Sequence, residues 1–156
     1  MKNNKLVNII ISISIVLLIA SLILMLTKTK KVENHITEIT YQEYTELLKK
    51  DEVSIILLTS PTCDHCKDYK PYVNYVLDEN GLTAYELSLS TLTYDEYIEI
   101  HDKYSSTKDK YSKDNVPSIL TPATILVKNN EEVTSVLGNI GYSGFSKLLK
   151  QYEIIK

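Results

Sequence analysis

Tryptophan and arginine are absent from this chain of 156 residues, phenylalanine occurs once, and there are only four glycines, four prolines and two cysteines. Each shortage excludes something. Two cysteines cannot make a disulfide scaffold, so the chain is not a stapled mini-domain. Its core must be aliphatic, helped by the 12 tyrosines. Positive charge is also scarce where nucleic acid would require it. Five of the 17 lysines lie at positions 2, 5, 28, 30 and 31, leaving 12 against 20 Asp and Glu in residues 32–156, a formal charge of −8. Phosphate backbones need clustered positive charge, so nucleic acid is not an expected partner. The acidic balance serves solubility instead.

What is present begins with one apolar run, Leu6 to Leu26, 21 residues without a charge. Asn8, Ser12, Ser14 and Ser21 are its only polar members. At about 1.5 Å per residue such a run crosses a hydrocarbon core of roughly 30 Å. A cleaved signal peptide is the competing reading, with Lys2 and Lys5 as its positive start. The run exceeds the usual apolar region of roughly 7–15 residues, and no convincing small-x-small site follows it. A retained, single-pass anchor at residues 6–27 is therefore expected, after a cytoplasmic stretch at 1–5 and before a linker at 28–37. Lysines on the two sides nearly tie for the inside. The domain at 38–156 is placed outside, because a single N-terminal anchor serves to hold an exported domain at the cell membrane.

Thr40 and Glu43 have capping-box spacing, and Tyr44, Leu47 and Leu48 make a helical stripe. Val53 to Thr59 is a short apolar run that reads as a strand buried on both faces. A helix is expected from about Cys63 to Leu77, with Pro71 inside it and Asn80-Gly81 as its stop. Leu82 to Leu89 reads as a strand and Thr93 to Tyr104 as a helix. Ser105 to Asn115 reads as a loop or frayed helix end. Ala123–Val127 and Glu132–Leu137 flank an Asn129-Asn130 turn, predicting a hairpin. Tyr142 to Ile154 closes the chain as an amphipathic helix. The order predicts an α/β domain, a mixed sheet of about four strands flanked by helices.

The chemistry concentrates at Cys63-Asp64-His65-Cys66, directly after the first expected strand. A cysteine at the start of a helix meets unpaired N–H groups and the positive end of the dipole, which favour its thiolate. Thiolate is the nucleophile of disulfide exchange. Cys63 is thus the candidate nucleophile and Cys66, one turn further in, the resolving thiol. His65 adds positive charge beside the sulfurs if protonated; Asp64 opposes it, or pairs with His65 or Lys67. An inert bridge is the first competing reading, but so short a loop gains little from closure. A metal site is the second, but zinc favours four ligands where Cys63, His65 and Cys66 supply three.

Further positions complete a resemblance. A Lys67 follows the second cysteine, Pro71 lies five residues beyond it, and Thr121-Pro122 stands immediately before a strand. With the hairpin and a glycine before the last helix, residues 38–154 resemble the thioredoxin superfamily. They are closest to its small membrane-anchored members in Gram-positive bacteria, some described as bacteriocin transport accessory proteins. The resemblance implies a thioredoxin-like fold. It also implies a cis Thr121-Pro122 bond that presents the Thr121 backbone to a substrate chain, with Pro117 the rival proline. No cofactor is implied beyond the redox-active Cys63–Cys66 disulfide. The chain departs from thioredoxin at Pro61-Thr62, where tryptophan usually precedes the first cysteine. It departs again at Asp64-His65 between the cysteines, and at Leu57, where a buried acid usually stands. The expected function is thiol–disulfide exchange with exported proteins or peptides, and with a membrane or extracellular redox partner. The alternative is a non-catalytic accessory module for bacteriocin export or immunity.

Overall fold

The computed structural model describes residues 3–26, 33–104, 106–107 and 117–156. They divide into two units, Met1–Lys31 and Val32–Lys156. In the first unit, α1 (Asn3–Leu26) is a helix of 24 residues. Its described side chains, Val7 and residues 11–21, are all exposed. Across the described residues, no helix is long and apolar enough to cross a membrane.

The second unit runs β1 (Ile36–Ile39), α2 (Tyr41–Leu47), β2 (Ser54–Thr59), α3 (Asp64–Asn80), β3 (Ala84–Ser88), α4 (Tyr94–Lys103), β4 (Ala123–Lys128), β5 (Glu131–Leu137) and α5 (Gly141–Gln151). A short 3-10 turn, Leu89–Thr91, joins β3 to α4. The strands form one mixed sheet ordered β1-β3-β2-β4-β5. β1 and β2 both run parallel to β3, while β4 is antiparallel to β2 and to β5.

The sheet has five described strands, which corrects the expectation of about four. The additional strand, β1, begins inside the stretch read as a linker at 28–37. It is four residues long and lies at the sheet edge, with Thr37 and Glu38 exposed. So short a segment has too little alternation to signal a strand. Its pairing of Ile36 with Ala84 is supplied by tertiary structure alone.

Local chemistry accounts for the other boundaries. Thr40 and Glu43 close a capping box on α2, and Thr93 and Glu96 close another on α4. Gly81 ends α3 at φ 63°, a left-handed position where a Cβ is unfavourable. Asn129 and Asn130 both take positive φ, as a two-residue turn of the twist-matched kind requires. The sheet separates two cores. One packs α3 and α5 through Tyr69, Val73, Phe145 and Leu149, and the other packs α2 and α4 through Tyr44, Ile100 and Tyr104. Of the segment 105–116, only Ser106 and Thr107 lie within the described residues.

Candidate functional site

The parallel strands β2 and β3 bring their C-terminal ends together, and β2 leads through Ser60-Pro61-Thr62 into α3. Cys63 is the N-cap of α3, with extended backbone. Its N–H bonds the Ser60 carbonyl at 3.1 Å, fixing the turn. Its Sγ accepts from the Cys66 N–H at 3.1 Å, filling the place that a serine or aspartate oxygen takes in most helix caps. Sulfur therefore sits against the unpaired donors of the first turn, where negative charge is favoured.

Cys63 and Cys66 are joined as a disulfide with Cα atoms 5.3 Å apart. Cys63 is half-buried, whereas Cys66 is 2% exposed. This asymmetry follows from helix geometry. The N-cap lies at the outer edge, and Cys66, one turn on, is on the buried side of α3.

The neighbours divide differently from the cysteines. Asp64 and Lys67 form an exposed ion pair at 2.7 Å. The hydrogen bond from Lys67, and then its charge, hold the Asp64 carboxyl below its ordinary range; His65 adds a smaller pull in the same direction. Of the two pairings open to Asp64 in the sequence, the Lys67 pairing is present. His65 is exposed on the first turn. The other histidines lie elsewhere: His35 meets Asp78 at 3.2 Å and His101 meets Asp102 at 2.9 Å. Among the described residues, no group of three or more His, Cys, Asp or Glu could hold a metal ion.

The Thr121-Pro122 peptide bond is cis. Ala123 pairs with Leu58, so the bond lies beside the chain as it leaves β2 for the cysteines. The Pro122 carbonyl accepts from the Gly138 N–H at 2.7 Å, tying this loop to the end of β5. Leu120, just before it, is exposed, while Ile119 is buried and its N–H bonds the Tyr97 hydroxyl. The bond before the rival Pro117 involves Val116, which lies outside the described residues.

A polar cluster near Cys66 was not legible in the sequence. Leu57 is buried in the apolar core, as its identity demands, and opposite it on β3 stands Glu86. Glu86 is only 6% exposed. Its Oε1 accepts from the Thr59 hydroxyl at 2.7 Å and pairs with the Lys70 ammonium. Thr59, Cys66, Lys67, Lys70 and Glu86 share the wall of a cleft of about 440 Å³. Within Ala84–Ser88 the acid falls on the same face as Ala84, and that period-2 placement was the available signal.

Neither a protein-family model nor a curated protein sequence matches this chain. Solved structures do. Thioredoxin f2 of Chlamydomonas reinhardtii superposes with a TM-score of 0.58 at 13% identity, covering 78% of this chain and 99% of that one. Oxidised thioredoxin of Plasmodium falciparum gives 0.56 at 15% identity, covering 75% and 97%. The Malassezia sympodialis thioredoxin gives 0.55 at 17% identity, covering 78% and 94%. The chain thus has the thioredoxin fold, at identities where likeness reaches no further than fold.

Proposed function

We propose that the chain is a thiol–disulfide oxidoreductase whose reacting groups are Cys63 and Cys66. The observation that carries this reading is the asymmetric pair itself. A half-buried sulfur caps a helix, its bonded partner is buried one turn in, and a cis X-Pro loop borders the same end of the sheet.

In the reducing direction, the Cys63 thiolate attacks a substrate disulfide and expels one substrate thiolate. Cys66 then attacks the Cys63 sulfur, the second substrate thiolate leaves, and the Cys63–Cys66 disulfide forms. The reverse order oxidises a substrate dithiol, with no cofactor needed beyond the disulfide. Lys67 binds Asp64 and offsets its charge near Cys63, and the exposed His65, when protonated, adds positive charge on the same turn. The Thr121 backbone would pair with an extended substrate segment beside the cysteines.

The same reading assigns residues 6–27 as a membrane anchor and residues 38–156 as a domain acting on exported proteins or peptides. It is supported by the uncharged run Leu6–Leu26 and by the exposure of Val16, Leu17 and Leu18 at 64%, 65% and 70%. An apolar helix with no polar face needs an apolar surrounding.

The test is a redox titration of the full chain in detergent, trapping thiols with an alkylating reagent and counting them by mass. A reversible two-electron couple is expected. A midpoint near about −270 mV marks a reductant and one near about −120 mV an oxidant. If no reversible couple exists in that window, the accessory reading takes its place. Alkaline carbonate extraction of membranes tests the anchor, which predicts retention in the pellet.

A further inference from the structure

The loop that carries the cis bond is held on both sides. On the C-terminal side, the Gly138 N–H donates to the Pro122 carbonyl, and Gly138 takes φ 86°, a left-handed value that favours glycine. On the N-terminal side, the Ile119 N–H donates to the Tyr97 hydroxyl at 2.6 Å. Leu120, exposed, and Thr121, half-buried, lie between these two anchors. Ile119 is buried, and a buried N–H left without a partner is costly, so the hydroxyl is a strong constraint on where the loop sits. Tyr97 is itself fixed. The capping box of Thr93 and Glu96 sets the start of α4, and the Tyr97 N–H bonds the Thr93 carbonyl at 3.0 Å. Tyr97, Ile100 and Tyr104 then fall on one helix face at i, i+3 and i+7, and pack into the core cluster that also holds Ile119. A phenol suits this position: its ring belongs to the core, and the oxygen at its tip reaches a backbone donor.

We propose that Tyr97 is a positioning residue for substrate: through Ile119 it sets the register at which the Thr121 backbone meets an extended chain. This inference rests on the oxidoreductase reading. An added strand is bound best when the groups that pair with it are in place before it arrives, since the ordering cost is then already met. Thr121 lies two residues beyond the anchored N–H, so a displacement of Ile119 passes to it through Leu120 alone. The described hydrogen bond of the Tyr97 hydroxyl is to this loop, and its effect on the reaction therefore runs through Thr121. The consequence is selectivity by the form of the substrate. A disulfide carried on an extended peptide gains from the fixed loop, whereas a small disulfide without a peptide backbone does not.

The experiment uses the reduced full chain in detergent and two disulfides that release the same coloured thiolate. One is an extended peptide whose cysteine is activated as a mixed disulfide with 2-nitro-5-thiobenzoate. The other is 5,5′-dithiobis(2-nitrobenzoate), which has no peptide backbone. In both, Cys63 bonds a substrate sulfur and the electron pair leaves on the nitrothiobenzoate sulfur, followed by stopped flow. Tyr97→Phe keeps the ring and removes the oxygen. It is expected to raise the half-saturating peptide concentration about ten-fold, the scale of one net hydrogen bond, at an unchanged limiting rate. Its rate with the small disulfide should equal that of the unsubstituted chain. Tyr41→Phe is the control for a general loosening of α4. The Tyr41 hydroxyl bonds Glu99 on that helix, and its ring packs against the same core. Its loss should move neither reaction. An unchanged half-saturating concentration in Tyr97→Phe overturns the proposal, as do equal losses toward both disulfides or an equal rise in Tyr41→Phe. A peptide mixed disulfide that persists on the unsubstituted chain, with no Cys63–Cys66 disulfide detected by mass, instead overturns the oxidoreductase reading beneath it.

Discussion

Both faces of the sheet bury polar groups, and the two burials have opposite consequences. On the face covered by α2 and α4, Tyr44 and Tyr104 are fully buried, and their hydroxyls bond one another at 2.6 Å. On the face covered by α3 and α5, Glu86 and Thr59 are buried, and the half-buried Lys70 pairs with Glu86. The tyrosine pair is closed, since each hydroxyl satisfies the other and Leu48, Ile100 and Ile125 share its core cluster. It joins α2 to the end of α4 and has no route to solvent-borne chemistry. The Glu86 cluster is open along a cleft that also touches Cys66. A polar group walled in by apolar side chains stabilises one arrangement. A polar group on the wall of a solvent-connected cleft keeps the ability to exchange a proton.

The largest effect that sharpens this contrast comes from the thiols. Cys63→Ser should reduce insulin-disulfide turnover by the full chain to background. Cys66→Ser should instead accumulate a mixed disulfide at Cys63, visible by mass. Equal inertness of the two variants toward disulfides would contradict the division into attacking and resolving sulfur.

Next in size is a change on the closed face. Tyr104→Phe strands the Tyr44 hydroxyl in the core and should cost about 1–3 kcal/mol in urea unfolding. The redox midpoint should not move. A moved midpoint would mean that the two faces are coupled.

Alkaline pH gives a smaller and more graded effect. Burial pushes the Tyr69 phenol up to about 12, from an ordinary value of 10.0. Burial likewise raises Tyr44 and Tyr104. Unfolded tyrosines ionise first, so the folded state holds more protons through this range. Stability is intact below pH 10 and is lost as pH climbs from about 10 towards 12. Tyr69→Phe should flatten part of that decline in chemical denaturation curves taken across the range. An unchanged slope would mean that Tyr69 ionises alike in both states.

The smallest effect belongs to the surface. The Asp64–Lys67 pair contributes above the ordinary carboxylate range and fades as pH falls through the lowered value of Asp64. Both side chains are well exposed, at 87% and 65%, so solvent screens the pair. Asp64→Asn should leave the unfolding midpoint unmoved at neutral pH. It should instead make Cys63 more reactive toward iodoacetamide, by removing a negative charge from the first turn.

Much of this was legible residue by residue. Thr40 with Glu43 announced α2, Asn80-Gly81 announced the end of α3, and Asn129-Asn130 announced the hairpin. The capping position of Cys63 followed from Ser60-Pro61-Thr62 breaking a strand before a helical stripe. The strand β1 was not legible, because Ile36 and Ile39 alone cannot distinguish an edge strand from a linker. Nor was the buried acid. Leu57 showed that β2 has none; alternation along Ala84–Ser88 sets Glu86 on the face of Ala84, but its meeting with Thr59 and Lys70 depends on residues far away in the chain.

What the sequence determined by itself was therefore local: the α/β order, the caps and turns, and two thiols one helical turn apart at a helix start. Those features depend on neighbours within a few residues, whose propensities and hydrogen bonds act before the chain is compact. Only the tertiary structure decided the order β1-β3-β2-β4-β5, the cis state of Thr121-Pro122, and which carboxylate lies near Cys66. Each of these depends on parallel pairing or packing between residues far apart in the chain. There, burial and hydrogen-bond satisfaction override what any short segment prefers alone.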